Sequence, residues 1–280
     1  MSERYDADYI RAYYDAYGER EWLRLDADPI NRANFHLHRH YLLRHVRSGD
    51  RVLEAGAGPG RFTIELARLG ARVTVGDISP VQLAANAEHV RQAGYEAAVV
   101  SHELLDIVDL SRFPGASFDV TVCYGGPLSY VFDQADTALA ELLRVTRPNG
   151  PVLLSVMSLL GATRVFLPAV LDLARDHGRE VIDPVVRSGD LIGLPAGDHY
   201  CHMYRWRELA ALFSRHGCEI VAASAANFLT TNLGEAVTAA ADDPTLWRAL
   251  LDWEIEYSQE PGALDGGTHI IAVVRRPAHL

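Results

Sequence analysis

Hydrophobic positions along the chain change spacing several times, and the changes mark its elements. Near the start, Tyr9, Ile10, Tyr13, Tyr14 and Tyr17 recur at helical intervals, which predicts an amphipathic helix. Trp22, Leu23 and Leu25 extend that apolar face until Asp28-Pro29 breaks it, because proline cannot continue a helix already formed. A second helix is expected over about 31–46. Further on, short apolar runs near 51–55, 72–76, 97–101, 118–124 and 151–157 alternate with helical periodicity over about 62–69, 80–93 and 135–146. Runs without a polar face suit strands covered on both sides. Their alternation with helices predicts a doubly wound α/β fold with a parallel, Rossmann-like sheet and right-handed crossovers.

The regular pattern stops at about residue 158. Helical spacing over 165–177 gives way to a loop with Gly189, Gly193, Pro195 and Gly197, then to Asp198-His199-Tyr200-Cys201-His202-Met203-Tyr204. The stretch 158–204 is expected to be a lid inserted over the carboxyl ends of the strands. A helix over 206–215, a strand over 218–225 and a last strand over 268–275 resume the core. A second insertion at 227–266 carries a helix over 244–257, whose Glu254, Glu256 and Glu260 are expected to form a solvated acidic face. The expected organisation is a helical cap at 1–47, a core at 48–157, the lid at 158–204 and the remainder of the core at 205–280.

The candidate chemistry gathers at the end of the first strand. Glu54-Ala55-Gly56-Ala57-Gly58-Pro59-Gly60 places an acidic residue before glycines at every second position, and a helix follows at once. Glycines permit positive φ and let a ligand approach the main chain, while the helix start offers free N–H groups. The spacing is not the G-x-G-x-x-G of dinucleotide binders. Pro59 removes an N–H that a pyrophosphate would use, and the Glu54 carboxylate suits a cation better than a phosphate. Asp77 ends the second strand, roughly 20 residues after the turn, where a carboxylate can hold ribose hydroxyls. The other reading of Asp77 is a helix-capping aspartate.

These residues resemble motif I of the class I S-adenosylmethionine (SAM) methyltransferases. In that family the glycine turn packs against the amino-acid end of SAM. The stretch Leu105-Asp106-Ile107 through Ser117-Phe118-Asp119 is similar to the family's Asp-Ala-x-x-Leu-Pro-Phe-x-x-x-Ser-Phe-Asp segment. By that likeness Asp106 would accept from the adenine amino group and the Ile107 N–H would meet a ring nitrogen, with Asp109 a solvent-facing or turn-capping neighbour. Gly125-Gly126-Pro127-Leu128-Ser129-Tyr130 resembles a Gly-Pro-Leu-x-His-Leu loop, with Tyr130 at the His position. Arg147-Pro148-Asn149-Gly150 resembles the family's Arg-Pro-Gly-Gly turn. The likeness is close over about 48–157 and looser over 205–226 and 268–275. It implies a seven-stranded sheet with an antiparallel last strand, and S-adenosylhomocysteine (SAH) as the product of SAM. The expected cofactor-binding set is Tyr14, Glu54, Gly56, Gly58, Gly60, Asp77, Ile78, Asp106, Ile107 and Cys123.

The resemblance implies methyl transfer to an O, N or C atom of a small molecule, possible for a secondary metabolite. A base is needed only if the acceptor carries a proton at working pH. His199 and His202, with Tyr130, are the catalytic candidates. Non-methylating SAM chemistry on the same fold (a cyclase, decarboxylase or hydrolase) and a non-catalytic SAM-binding protein are the alternatives. An NAD-dependent oxidoreductase fits the glycine spacing poorly.

Composition narrows the partners. The net charge of −11 disfavours nucleic acid, whose phosphates are met by Lys and Arg. Three cysteines without paired spacing fit a reducing compartment. With no signal-like apolar start and no membrane-length run, a cytoplasmic protein free of membrane is expected. His36, His38, His40 and His45, and the His199-x-Cys201-His202 triplet, lack the spacing of a zinc site, so no metal is expected. A homodimer is compatible with the chain.

Overall fold

The computed structural model describes residues 4–195, 197 and 199–278. Three helices come first: α1 (Ala7–Tyr17), α2 (Arg20–Arg24) and α3 (Pro29–His45). Asp6 starts α1 by accepting from the Tyr9 N–H at 2.9 Å. The Asp28-Pro29 break is the start of α3, since Asp28 accepts from the Asn31 N–H at 2.8 Å and Pro29 takes the first helical position.

The core then runs β1 (Arg51–Ala55), α4 (Arg61–Arg68), β2 (Arg72–Asp77), α5 (Pro80–Gln92), β3 (Val99–Leu104), β4 (Val120–Cys123), α6 (Pro127–Tyr130), α7 (Ala135–Val145) and β5 (Pro151–Met157). The lid contains α8 (Leu159–Val165), α9 (Leu167–His177), α10 (Arg179–Ser188) and two short strands, β6 (Asp190–Leu191) and β7 (Cys201–His202). The chain ends with α11 (Trp206–Arg215), β8 (Glu219–Ala225), α12 (Gly234–Ala241), α13 (Pro244–Tyr257) and β9 (His269–Arg275).

Seven strands form one sheet in the order β3-β2-β1-β4-β5-β9-β8. The first five are parallel, and β9 lies antiparallel between β5 and β8. The expected antiparallel last strand is therefore present, slotted inside the sheet. Period-two alternation divides the core: Val120 and Val122 enter the layer under α3 and α4, whereas Cys123 enters the layer under α7 and α11. Leu53, Leu66, Leu139 and Leu153 are fully buried across these layers, and each such burial contributes about 1.5–3 kcal/mol.

Several expectations shift. The third strand begins at Val99, because Glu96–Ala98 form a single 3-10 turn. The fourth is confined to Val120–Cys123, and Phe118 pairs only through an isolated bridge to Thr146. Helices α10 and α12 lie where no helix was expected. Glu254 is not solvated: it is fully buried and accepts from the N–H groups of Phe228, Leu229 (3.0 Å) and Thr230 (2.8 Å) and from the Ser258 hydroxyl (2.8 Å). A loop with orphan N–H donors requires such an acceptor, and i, i+3 charge patterning alone does not reveal it.

The lid leaves and rejoins the core at one point. Ser158 pairs with Tyr204: the Leu159 N–H donates to the Tyr204 carbonyl and the Tyr204 N–H to the Met157 carbonyl, both at 2.8 Å. Ile10 of α1 packs with Tyr130, Leu159, Ile182 and Met203 in a third apolar cluster. The N-terminal helix and the lid thus meet over the carboxyl ends of the strands. No helix among the described residues is long and apolar enough to cross a membrane.

Candidate active site

The turn after β1 is built by backbone bonds to the neighbouring strand. The Gly56 and Ala57 amides donate to the Gly76 carbonyl at 2.8 and 3.0 Å. Gly56 and Gly58 both have positive φ, +76° and +54°. They need glycine for different reasons. A Cβ on Gly56 would lie 2.2 Å from Pro127 Cγ, whereas a Cβ on Gly58 would meet nothing nearer than Glu21 Cγ at 3.8 Å. Gly56 admits a neighbouring loop; Gly58 borders open space.

That space is a narrow cavity of about 100 Å³. Glu54, Gly56 and Gly58 line it from β1 and the turn, Asp77 and Ile78 from the end of β2, and Asp106 and Ile107 from the loop after β3. Tyr14 and Tyr130 close it from α1 and α6. Two expected members are elsewhere. Gly60 starts α4 and packs against Asn86, and Cys123 points into the core under α7; neither is part of the cavity wall. Strand alternation explains Cys123, because its neighbour Tyr124 takes the cavity side.

Two buried carboxylates dominate the cavity. Glu54 accepts from the Thr63 hydroxyl at 2.5 Å, and Asn86 holds Thr63 in turn at 2.8 Å. Burial outweighs that bond and pushes the Glu54 carboxyl up to about 8. Asp77 accepts from the Gly58 and Ser79 amides, both at 2.8 Å, and burial still pushes it up to about 6. Asp77 therefore ties the two turns together but does not cap the following helix, as its second reading expected; Ser79 caps α5, accepting from the Gln82 N–H at 3.1 Å. A carboxylate has about four lone-pair sites, so the Gly58 and Ser79 amides leave room for further donors. The arginines of the wall are engaged elsewhere: Arg24 with Glu21, and Arg61 with Asp26 and the Trp22 ring. The buried Gln82 Oε1, also in the wall, has no partner among the described residues. Asp106 accepts from the Tyr5 hydroxyl at 2.6 Å.

A second cavity, of about 400 Å³, lies under the lid. It shares Tyr14, Glu21, Arg24, Gly125 and Tyr130 with the first. The Tyr14 and Tyr130 rings meet edge to face at 5.4 Å, and burial keeps both phenols protonated. His199 belongs to this second cavity, with its Nε2 2.9 Å from the Tyr130 hydroxyl and its ring stacked on Tyr13 at 5.4 Å.

His202 does not join it. On β7 its side chain points opposite to that of Cys201, pairs with Asp190 at 2.7 Å and faces a separate groove beside Arg4 and Arg215. On α3, His38 is buried, its Nδ1 bonded to the Asn34 carbonyl at 2.9 Å. Among the described residues no group of three or more His, Cys, Asp or Glu could hold a metal ion.

Among the cavity members that the sequence reading missed are Tyr5, Glu21, Arg24 and His269. The first three sit in the helical cap, and for Glu21 and Arg24 the i, i+3 pairing astride Trp22 and Leu23 was the available signal. His269 gave none beyond its place at the start of the last strand.

Residues 52–150 match a family model described as a methyltransferase domain. A malonyl-[acyl-carrier protein] O-methyltransferase of Serratia marcescens is 34% identical over 110 residues, 39% of each chain. A ubiquinone biosynthesis O-methyltransferase of Xanthomonas axonopodis pv. citri is 29% identical over 182 residues, 60% of this chain and 72% of that one. The core of the chain is thus similar to a methyltransferase domain. Among solved structures, 1,6-didemethyltoxoflavin-N1-methyltransferase of Burkholderia thailandensis, determined with SAH and its substrate, shares the fold at a TM-score of 0.55. It is 18% identical, and the match covers 97% of this chain and 88% of that one. The match to the Serratia relative therefore takes in well under half of that protein, and the family model ends at residue 150. The stretch 158–204 and most of the second cavity's wall lie outside the region that the family model describes.

Proposed function

We propose that the chain methylates a small molecule, with SAM in the first cavity and the acceptor in the second. The observation that carries this reading is the pair of buried carboxylates, Glu54 and Asp77, in a cavity whose arginines are already paired. Such a site fits a ligand with a positively charged end and a hydroxylated ring. Bound SAM would supply an electrophilic methyl group, which passes to the acceptor while the C–S bonding electrons stay on sulfur and any acceptor proton leaves to a base or to water.

The chain's own residues supply alignment and exclusion of water. Glu54 faces the ligand's cationic end, Asp77 takes ribose hydroxyls, and Asp106 takes the adenine amino group once the Tyr5 hydroxyl yields. Tyr14 and Tyr130 form the wall through which the two cavities communicate. The helical cap at 1–47 and the lid at 158–204 enclose the acceptor, and the core at 48–157 holds the cofactor. His199 orients Tyr130, because its Nε2 is directed at that hydroxyl. His202, facing another groove, has no part in this scheme. The negative net charge and the enclosed second cavity favour a small acceptor over nucleic acid.

The test is a binding and product assay. Calorimetry should detect SAM and SAH binding with no response to NAD. Incubation with methyl-labelled SAM and a metabolite extract should move label into an organic product. SAM binding with label retained in SAM would favour a non-methylating use of the cofactor, and no binding would overturn the proposal.

A further inference from the structure

We propose that the second cavity takes an uncharged, planar, hydroxylated aromatic molecule, and that Nε2 of His269 accepts the hydrogen bond from its hydroxyl. This rests on the two-cavity reading above and names the acceptor class.

The tautomer of His269 follows from a chain of hydrogen bonds. The Thr268 backbone N–H donates to Asn227 Oδ1 at 3.3 Å, which identifies that amide atom as oxygen. The Thr268 hydroxyl lies 3.2 Å from the same oxygen and must donate to it. Its only proton is then spent, so Thr268 Oγ1 can only accept from His269 Nδ1, 3.2 Å away. In a neutral imidazole with its proton on Nδ1, Nε2 carries a bare lone pair. Among the described residues Nε2 has no partner, and the ring lines the second cavity. Burial, with Arg24 adding to it, pulls the imidazole down to about 3 and keeps it neutral. A hydroxyl on a molecule bound in the cavity would donate to that lone pair in place of water.

The remaining wall specifies the body of that ligand. Tyr13, Tyr14, Tyr17, Tyr130 and Phe166 present aromatic surface, with Met157 and Met203 between them, a lining suited to a flat ring system. The only arginine or lysine among the described lining residues is Arg24. It is held in a two-pronged contact by Glu21, with Nε at 3.1 and 3.0 Å from the two carboxylate oxygens and Nη2 at 2.6 Å. An anionic acceptor would find no free cation there and would lose its hydration uncompensated.

The support of His269 is itself fixed. The Ala226 amide donates to the His269 carbonyl at 2.8 Å, Asn227 holds Thr268, and the buried Glu254 pins the loop from Phe228 to Thr230. The imidazole therefore stands on β9 with a preset tautomer.

The test uses SAH-loaded protein and two fluorescent probes on the same naphthalene ring: 2,3-dihydroxynaphthalene, and 3-hydroxy-2-naphthoate as its anionic counterpart. The diol should bind at least about tenfold more tightly than the naphthoate. His269→Leu should weaken diol binding about fivefold to tenfold, the worth of one hydrogen bond, with SAH affinity unchanged. His269→Gln, which keeps an acceptor oxygen, should recover much of the loss, an effect that a merely structural histidine would not show. Thr268→Val, which frees the tautomer, should give a smaller loss and carries the test if His269→Leu fails to fold. Equal or tighter binding of the naphthoate, no diol binding to SAH-loaded protein, or diol affinity indifferent to residues 268 and 269 would overturn the proposal. Failure of SAH itself to bind would instead overturn the cofactor reading, and the same diol comparison on the free protein would still decide the acceptor class.

Discussion

The two cavities share a wall but are made in different ways. The first is built around strand ends and the turns that follow them, Glu54 to Gly58, Asp77–Ile78 and Asp106–Ile107, which the helical cap covers with Tyr5, Tyr14, Glu21 and Arg24. The second draws single side chains from α1, α2, the end of β5, the lid and the start of β9. A site made by local backbone geometry can be recognised from a short motif. A site made by tertiary convergence leaves separate residues, each of which reads locally as packing.

The largest expected effect falls on the first cavity. Gly58→Val should abolish SAH binding, a loss of more than about a hundredfold, because the side chain enters the cavity and positive φ disfavours a branched residue. The fold should survive, since only Glu21 Cγ lies within 4 Å of the new Cβ. Gly56→Ala should instead lower the melting temperature, through the clash with Pro127. Calorimetry and thermal melts on both variants separate the two roles; equal effects in both assays would erase the distinction.

Glu254→Ala comes next and aims at the second cavity. Three loop amides and a serine hydroxyl lose their acceptor, and at about 1–3 kcal/mol for each buried group left unpaired, a stability loss of about 3 kcal/mol or more is expected by chemical denaturation. Diol binding should weaken more than SAH binding, because the pinned loop supports Thr268 and His269 and not the glycine turn.

The legibility of the chain follows the same division. The parallel sheet was readable, because buried strands leave apolar runs and the glycine turn fixes where the first crossover begins, and the antiparallel β9 followed from the resemblance. Glu54, Gly58, Asp77, Asp106 and Ile107 were named from the motif, and the structure brings all five to one cavity; their role in holding SAM is a proposal. Cys123 was misplaced because its side chain follows the strand's alternation into the core. His202 was misplaced for the same reason on β7. His269 was missed because its significance depends on Asn227, which the fold brings to Thr268 beside it, whereas the Glu21–Arg24 pair stood at i, i+3 in the sequence and gave no sign of the cavity it would line. Glu254 looked solvated because its three amide donors come from a loop more than twenty residues earlier in the chain.

Asp77→Ala should weaken SAH binding by about tenfold or more, from two charge-assisted bonds of about 1.5–3 kcal/mol each. An unchanged dissociation constant would leave Asp77 as a cap for the turn.

The smallest effect is a pH dependence of the first cavity. A cationic ligand favours ionised Glu54, so SAM binding below about pH 8 should release protons and tighten as pH rises toward the raised Glu54 value of about 8. In the ligand-free protein the sign is opposite for stability. Both carboxyls stand above their ordinary values, so their contribution is full below about pH 4. It is lost as pH rises through about 6 for Asp77 and about 8 for Glu54. Calorimetry in buffers of different ionisation enthalpy measures the proton release, which Glu54→Gln should abolish.

The central claim is that SAM lies between the carboxylates of the first cavity with its methyl directed at the second. A crystal structure with bound SAH tests it most directly. The account predicts ribose hydroxyls on Asp77, the adenine amino group on Asp106 with the Tyr5 hydroxyl displaced, and the sulfur beside the Tyr14 and Tyr130 wall. SAH bound elsewhere, or bound while Tyr5 still holds Asp106, would contradict it.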